Sequence, residues 1–141
     1  MRLVGPARVR RVKNIAADNQ EQLMPASSPT PVFPKPVFRV DIFNVPQRAR
    51  RRFIDAVEET HRVLRGIPGL IEDHILERPA GPGASNIVTI AMWKDEETVR
   101  HARSVVGAWH NRTGFNPQTL MRELGVEAAI GEFRPVEAEP V

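Results

Sequence analysis

One stretch of eight residues, NIVTIAMW at 86–93, constrains the fold of this chain more than any other part of it. Its β-branched and aromatic residues predict a strand, and successive side chains of a strand point to opposite faces. Apolar residues occupy both faces here, with Ile87, Ala91 and Trp93 on one side and Val88, Ile90 and Met92 on the other. A sheet built around this strand needs cover on both faces, because a face left to water is normally polar at alternate positions.

The segments around this strand predict further strands and helices. Alternating apolar residues predict strands at 37–45, 70–78 and 126–136, and apolar spacings of three and four predict helices in 47–69, from Asp95 onward and at 116–125. This order is that of ferredoxin-like α+β folds. We therefore predict an antiparallel sheet with helices on one face. A second copy of the chain is expected to cover the other face, since two-fold homodimers are the commonest oligomers.

The first 35 residues differ from the rest in composition. The segment PASSPTPVFPKP is rich in proline, which is typical of an extended linker, so we predict a disordered or extended tail at 1–35. The folded domain is predicted at 36–136, followed by a polar tail at 137–141. The Arg-rich leader lacks the apolar segment of a secretory signal, and Met24 is an alternative start of the protein.

Charge and composition exclude several classes of function. Residues 1–23 contain five basic and two acidic residues, and the remaining 15 basic and 15 acidic residues balance, so the formal charge of +3 comes from the leader. No basic face is expected on the domain, which argues against a nucleic-acid partner. The sequence has no cysteine, which fits a reducing compartment, and we expect a cytoplasmic protein. No apolar run reaches the roughly 20 residues that cross a membrane. The four histidines do not have the spacing of a metal site.

Four segments together carry a resemblance to a known family. They are FRVDIFNVP, RGIPGLIEDHIL, IVTIAMWKDEETVRHA and the closing HNRTGFNPQTLMRELGVEAAIGEFRPV. From Val37 to Arg134 the chain resembles the antibiotic-biosynthesis-monooxygenase family of dimeric α+β barrels. Some members of that family are oxygenases that use no cofactor, some degrade haem, and others only bind a ligand. The resemblance therefore implies the fold more directly than the function.

Three residues are the candidate catalytic groups. His110 is expected to border the buried stripe of the second long helix and to act as a base, as histidine does near neutral pH. Asn44, at the end of the Phe38–Val40–Ile42 face of the first strand, matches an asparagine of the haem-degrading relatives. Trp93 would form a wall of the pocket. Each has a structural alternative: His110 as a packed side chain, Asn44 as the cap of a turn, and Trp93 as part of the core.

Further residues are expected to contact a ligand. They are His74 on the second strand and the helix-stripe residues Phe53, Val57 and Val106. His61 is placed beside the stripe of the first helix and His101 on the surface. The resulting hypothesis is an oxidoreductase, a cofactor-independent monooxygenase that acts on a small electron-rich aromatic or quinol. The alternatives are a non-catalytic dimer that binds a small apolar ligand and a haem-binding or haem-degrading protein.

Overall fold

The computed structural model describes residues 35–137, and these residues form a four-stranded antiparallel sheet with three helices. The elements are β1 (Val37–Pro46), a short 3-10 helix (Gln47–Ala49), α1 (Arg50–Arg65), β2 (Leu70–Pro79), β3 (Ala84–Trp93), α2 (Glu96–Thr113), α3 (Pro117–Leu124) and β4 (Glu127–Phe133). The strand order is β2-β3-β1-β4. The predicted ferredoxin-like α+β fold is confirmed. Apart from Lys35 and Glu137, the predicted tails lie outside the described residues.

Local sequence signals fix the ends of α2. Asp95 precedes the helix, and its carboxylate accepts a hydrogen bond from the backbone N–H of Thr98 (2.9 Å), while the Thr98 hydroxyl accepts from the backbone N–H of Asp95 (3.2 Å). This reciprocal capping satisfies donors that have no partner within the helix. Glu96 and Glu97 lie in the first turn, where the positive end of the helix dipole stabilises their negative charges. Gly114 ends the helix in the left-handed conformation at φ 76°.

The loop between α1 and β2 packs tightly against the start of α2. Gly69 has a φ of 100°, and a Cβ atom added there would lie 2.5 Å from the Thr98 side chain. Its carbonyl accepts a hydrogen bond from the backbone N–H of Lys94 at 2.9 Å. A glycine is therefore required at this position, both for the backbone angle and for the close approach.

The helices cover the sheet face that carries the odd-numbered residues of β1 and β3, which we call the covered face. Two apolar clusters hold the two layers together. One contains Phe43, Val45, Ala49, Phe53, Ile54, Val57, Ile87 and Val126. The other contains Val37, Ile67, Ala91, Trp93, Val99 and Ala102. Ile87, Val37 and Val45 are fully buried, so the core of the described domain lies on this side of the sheet.

The opposite face, which we call the open face, is apolar but is not covered by any helix of residues 35–137. It carries Phe38, Val40, Ile42, Leu76, Val88, Ile90, Met92 and Phe133. Ile42, Leu76 and Phe133 are 47%, 49% and 57% exposed. A continuous apolar surface of this kind is typical of a protein interface.

A β-bulge near the start of β2 changes the expected grouping of one histidine. Regular alternation along this strand predicts that His74 shares a face with both Leu70 and Leu76. In the structure Leu70 pairs with Trp93, whereas His74 pairs with Ile90, and the register shifts between Leu70 and Glu72. The grouping with Leu70 was wrong because an extra residue in a strand reverses the faces of the residues that follow it. The grouping with Leu76 was correct, since Leu76 pairs with Val88 on the same face as His74.

Candidate functional site

A cavity of about 440 Å³ lies between the covered face and the helices. Its walls are mostly apolar and include Phe43, Phe53, Val57, Leu64, Trp93, Val99, Val106, Phe115, Leu120 and Met121. Members of both apolar clusters contribute, so the cavity is the space that the two clusters leave between them. The volume lies in the lower half of the range for ligand pockets, roughly 300–1,000 Å³.

A glycine on α2 helps to keep this space open. Gly107 lines the cavity, and a Cβ atom added to it would meet nothing within 4 Å. Glycine in the middle of a helix destabilises it by roughly 0.5–1 kcal/mol relative to alanine. The helix therefore gives up stability at a position on the cavity wall that has open space beside it.

His110 lines the cavity and carries a buried polar atom without a hydrogen-bond partner in the described part of the chain. Its Nε2 atom is buried and has no hydrogen-bond partner among residues 35–137. The ring packs against Trp109 and Phe115, with ring centroids 5.2 and 5.5 Å away. Buried polar atoms almost always have a partner, and one left without costs roughly 1–3 kcal/mol. A ligand oxygen in the cavity would remove that cost.

A second histidine, His61 of α1, lines the same cavity and is held by a carboxylate. Its side chain is 6% exposed, and its Nδ1 atom lies 2.9 Å from Oδ2 of Asp73 on β2. Arg65 donates to the same oxygen from Nη2 at 2.8 Å. Burial raises the pKa of Asp73, but the hydrogen bonds from Arg65 and His61 and their charges outweigh it, and the pKa lies below its usual value. Asp73 is therefore ionised at neutral pH and accepts the Nδ1 proton.

Two ion pairs form a charged rim on the side of the cavity nearest β4. Arg39 Nε donates to Asp41 Oδ1 at 2.7 Å, and Arg103 Nη2 donates to Glu132 Oε2 at 2.5 Å. The arginines are 41% and 57% exposed, whereas the carboxylates are 15% and 23% exposed. The rim is therefore polar where it meets water, and the interior behind it is apolar.

The structure brings together five of the seven residues predicted for the site. Trp93, His110, Phe53, Val57 and Val106 all line the cavity. Trp93 is also part of an apolar cluster and only 4% exposed, so the two roles considered for it coincide.

Asn44 and His74 lie elsewhere. Asn44 is exposed on the open face, opposite Asn86 and Glu127. His74 lies on the same face, where its Nε2 atom is 3.4 Å from Glu72. Neither residue lines the cavity.

The sequence reasoning did not select His61, although one signal was present. His61 follows Val57 by four residues and precedes Leu64 by three, the spacing of a single helix face. Its partner Asp73 is separated from it by a turn, and nothing local indicates that the two side chains meet. Within the described part of the chain, no cluster of three or more histidine or acidic side chains could hold a metal ion, and no helix is long and apolar enough to cross a membrane.

No protein-family model matches the sequence, and no curated protein matches it. Solved structures do match its fold. One is a variant of SnoaB, a cofactor-independent oxygenase from Streptomyces nogalater, at 22% identity and TM-score 0.56, covering 76% of this chain and 99% of SnoaB. Another is a dimeric ferredoxin-like protein from an uncultured marine organism, at 17% identity and TM-score 0.52, covering 74% of this chain and all of that one. A third is a variant of MhuD with two manganese protoporphyrin IX molecules bound per active site, at 18% identity and TM-score 0.51, covering 74% and 99% of the two chains.

These neighbours share the fold of this chain. At these identities the likeness shows the fold alone. The chain therefore has a ferredoxin-like fold, and its function has to be argued from its own site.

Proposed function

We propose that this protein is a cofactor-independent monooxygenase that acts on a small electron-rich aromatic or quinol. The observation that carries the proposal is a largely apolar cavity of about 440 Å³ that is lined by His110, a histidine whose buried Nε2 atom has no hydrogen-bond partner among the described residues. The fold shared with SnoaB, a cofactor-independent oxygenase, supports the same reaction class.

Such a reaction requires the substrate itself to reduce molecular oxygen. For an anthrone, the ring methylene becomes a carbonyl with one oxygen atom of O2, and the other oxygen atom leaves as water. The substrate must first lose a proton, because its anion gives up an electron far more readily than the neutral molecule. The protein then needs a base, groups that hold the oxygenated anion, and an interior that excludes water.

The lining residues fit these requirements. Phe53, Val57 and Val106 provide apolar contacts for a flat ring, and Trp93 forms one end wall. His110 Nε2 would contact a substrate oxygen, where it can donate or accept a proton. We leave Asn44 and His74 out of this chemistry because they lie on the open face.

We further propose that the working protein is a homodimer. Pairing two open faces would bury the exposed Ile42, Leu76 and Phe133 and would satisfy the need for cover on both sides of β3. One structural neighbour is a dimeric ferredoxin-like protein, which supports the proposal.

Oxygen uptake by the purified protein tests the proposed reaction. We expect consumption of O2 with at least one member of a panel of anthrones and hydroquinones, and a fall of at least tenfold in kcat/KM for His110→Ala. His101→Ala is the matched control, since His101 is an exposed histidine of the same helix. A panel that binds but consumes no oxygen would overturn the enzyme proposal and leave a small-ligand-binding dimer.

Haem binding is the second candidate, because MhuD shares the fold and holds a metalloporphyrin. A buried imidazole nitrogen such as His110 Nε2 is the kind of atom that ligates haem iron. The cavity volume favours two or three fused rings over a porphyrin. Adding haemin and recording the Soret band separates the candidates: a shifted band that is lost in His110→Ala would favour haem, and an unchanged band would exclude it.

A further inference from the structure

We infer that His61, oriented by Asp73, is the group that removes the acidic proton from the substrate, and that the substrates are therefore phenols or enolisable ketones. This inference rests on the proposed function, since it assigns a base to the same cavity. It gives the two histidines of the cavity different tasks. His61 takes the proton, and His110 contacts a substrate oxygen without a carboxylate behind it.

The geometry of the His61–Asp73 pair selects one tautomer. Asp73 Oδ2 lies 2.9 Å from Nδ1, and Arg65 holds the same carboxylate in place. The ionised carboxylate accepts the Nδ1 proton, so Nε2 carries the lone pair. In the described part of the chain only Nδ1 has a hydrogen-bond partner, and His61 lines the cavity. Nε2 is therefore the ring nitrogen available to a ligand.

The same arrangement stabilises the product of proton transfer. When the O–H bond of a phenol or the C–H bond beside a ketone breaks, the electron pair stays on the substrate as a phenolate or enolate, and the proton passes to Nε2. The resulting imidazolium donates its Nδ1–H to a carboxylate that Arg65 keeps ionised. Asp73 acts through His61 and is a positioning residue. His110 has no acidic partner in the described residues, so its imidazolium form would gain no such support.

Other charged groups around the cavity do not replace this pair. Arg39 and Asp41 of β1 neutralise each other, as do Arg103 of α2 and Glu132 of β4. Both ion pairs line the cavity on other elements and remain charged in every variant described below. Asp73→Asn also leaves Arg65 without its carboxylate, but an unpaired cation favours the phenolate, so a loss of the shift in this variant is attributable to His61.

A chromogenic phenol tests the inference without any oxygen chemistry. We would titrate 6-nitro-2-naphthol bound to the protein under nitrogen and follow the phenolate absorption with pH. In wild type we expect the pKa of the bound phenol to lie roughly one unit or more below its value in water, because His61 takes the proton. In Asp73→Asn, which keeps the side-chain shape, we expect at least half of this shift to be lost, and in His61→Asn all of it.

Controls separate this effect from general changes in binding or folding. The methyl ether of the same probe cannot ionise and reports any solvent effect on the absorption. His101→Asn, an exposed histidine outside the cavity, should titrate like wild type. Circular dichroism checks the fold of each variant. If His61→Asn does not fold, a long-range ¹H–¹⁵N spectrum of wild type still decides the tautomer, with a proton on Nδ1 of His61 as the expected result.

The outcomes distinguish the two proposals. A lowered phenol pKa that depends on Asp73, without oxygen uptake on any substrate, would support the base and overturn the oxygenase. Oxygen uptake with no lowering of the phenol pKa, or a proton on Nε2 of His61, would overturn the base and leave the oxygenase standing. A probe that fails to bind wild type would overturn the base, and oxygen uptake on the substrate panel would still decide the oxygenase.

Discussion

The two faces of the sheet carry similar apolar residues but have different surroundings. On β3, Ile87 is fully buried beneath the helices, whereas its neighbour Val88 is only half-buried on the open face. Polar side chains are also buried in the layer between the covered face and the helices. Examples are Thr89 of β3, which is 7% exposed, and His61 of α1, which is 5% exposed. On the open face, the residues in the middle of the sheet, among them Val40 of β1 and Met92 of β3, are apolar. A face that is only packed can be uniformly apolar, whereas a face that encloses a site needs buried polar groups at chosen positions.

The largest difference should appear when neighbouring residues of β3 are truncated. We expect Ile87→Ala to lower the free energy of unfolding by about 2–5 kcal/mol, because it leaves a cavity in a packed core. Val88→Ala should cost less than about 1 kcal/mol when unfolding is measured on diluted, monomeric protein, because the open face is then in water. Equal losses from the two variants would contradict the distinction between the faces.

A charge on the open face should break the proposed dimer and leave the cavity intact. For Ile90→Asp we expect the dimer dissociation constant to rise at least 100-fold, since each interface would bury two unpaired carboxylates. Sedimentation gives the mass, and Arg100→Asp on the exposed side of α2 is the control for the added charge. A wild-type protein that is monomeric at high concentration would refute the pairing of open faces.

Filling the cavity should remove ligand binding without affecting the dimer. Gly107→Phe is expected to weaken the binding of an aromatic ligand by at least 30-fold, because the new ring occupies space that is empty in the structure. Gly107→Ala should bind nearly normally and raise the free energy of unfolding by roughly 0.5–1 kcal/mol. Ligand titration and chemical denaturation of both variants check this, and unimpaired binding by Gly107→Phe would place the ligand elsewhere.

The smallest expected effect concerns the edge of the covered face, where Arg50 of α1 meets Glu77 of β2. Two hydrogen bonds of 2.6 Å join them. The hydrogen bonds from Arg50 and Ser85 lower the pKa of Glu77 from 4.5 to about 2. Because the folded-state pKa is the lower one, this contribution to stability is present above pH 4.5 and is lost as the pH falls towards 2.

In Glu77→Gln, the free energy of unfolding should therefore fall less steeply in that pH range and change little at other pH values. Thermal melts of both proteins across the range measure the effect, which is modest because the pair is largely exposed. Identical pH profiles for the two proteins would show that this ion pair does not hold the helix layer to the sheet.

Much of the fold was predictable from local signals. Pro46, Gly66 and the acidic start at Asp95 lie near element boundaries because each acts on the backbone beside it. The helix stripes also identified part of the site, since a helix face that packs on a sheet includes the residues beside a cavity. Val57, Val106 and His110 were found in this way.

The rest of the candidate site depends on contacts between different helices and strands, which the local sequence pattern of each element does not predict. His61 and Asp73 meet only because α1 packs over β2, and no period or motif in either segment encodes that contact. The bulge after Leu70 likewise changed the face of His74, and its sequence, LIEDHIL, has no glycine or proline that marks the position of a bulge.

Where an element is regular, the sequence alone determined which residues share a face, because a strand has a period of two residues and a helix a period of 3.6. Asn44 does share a face with Val40 and Ile42, as the alternation requires. Only the tertiary structure decided which of two apolar faces the helices cover. Burying either set of residues gains similar free energy, so the choice falls to the strand order and to the right-handed crossover from β1 through α1 to β2. That choice put Trp93 and His110 around the cavity and left Asn44 outside it.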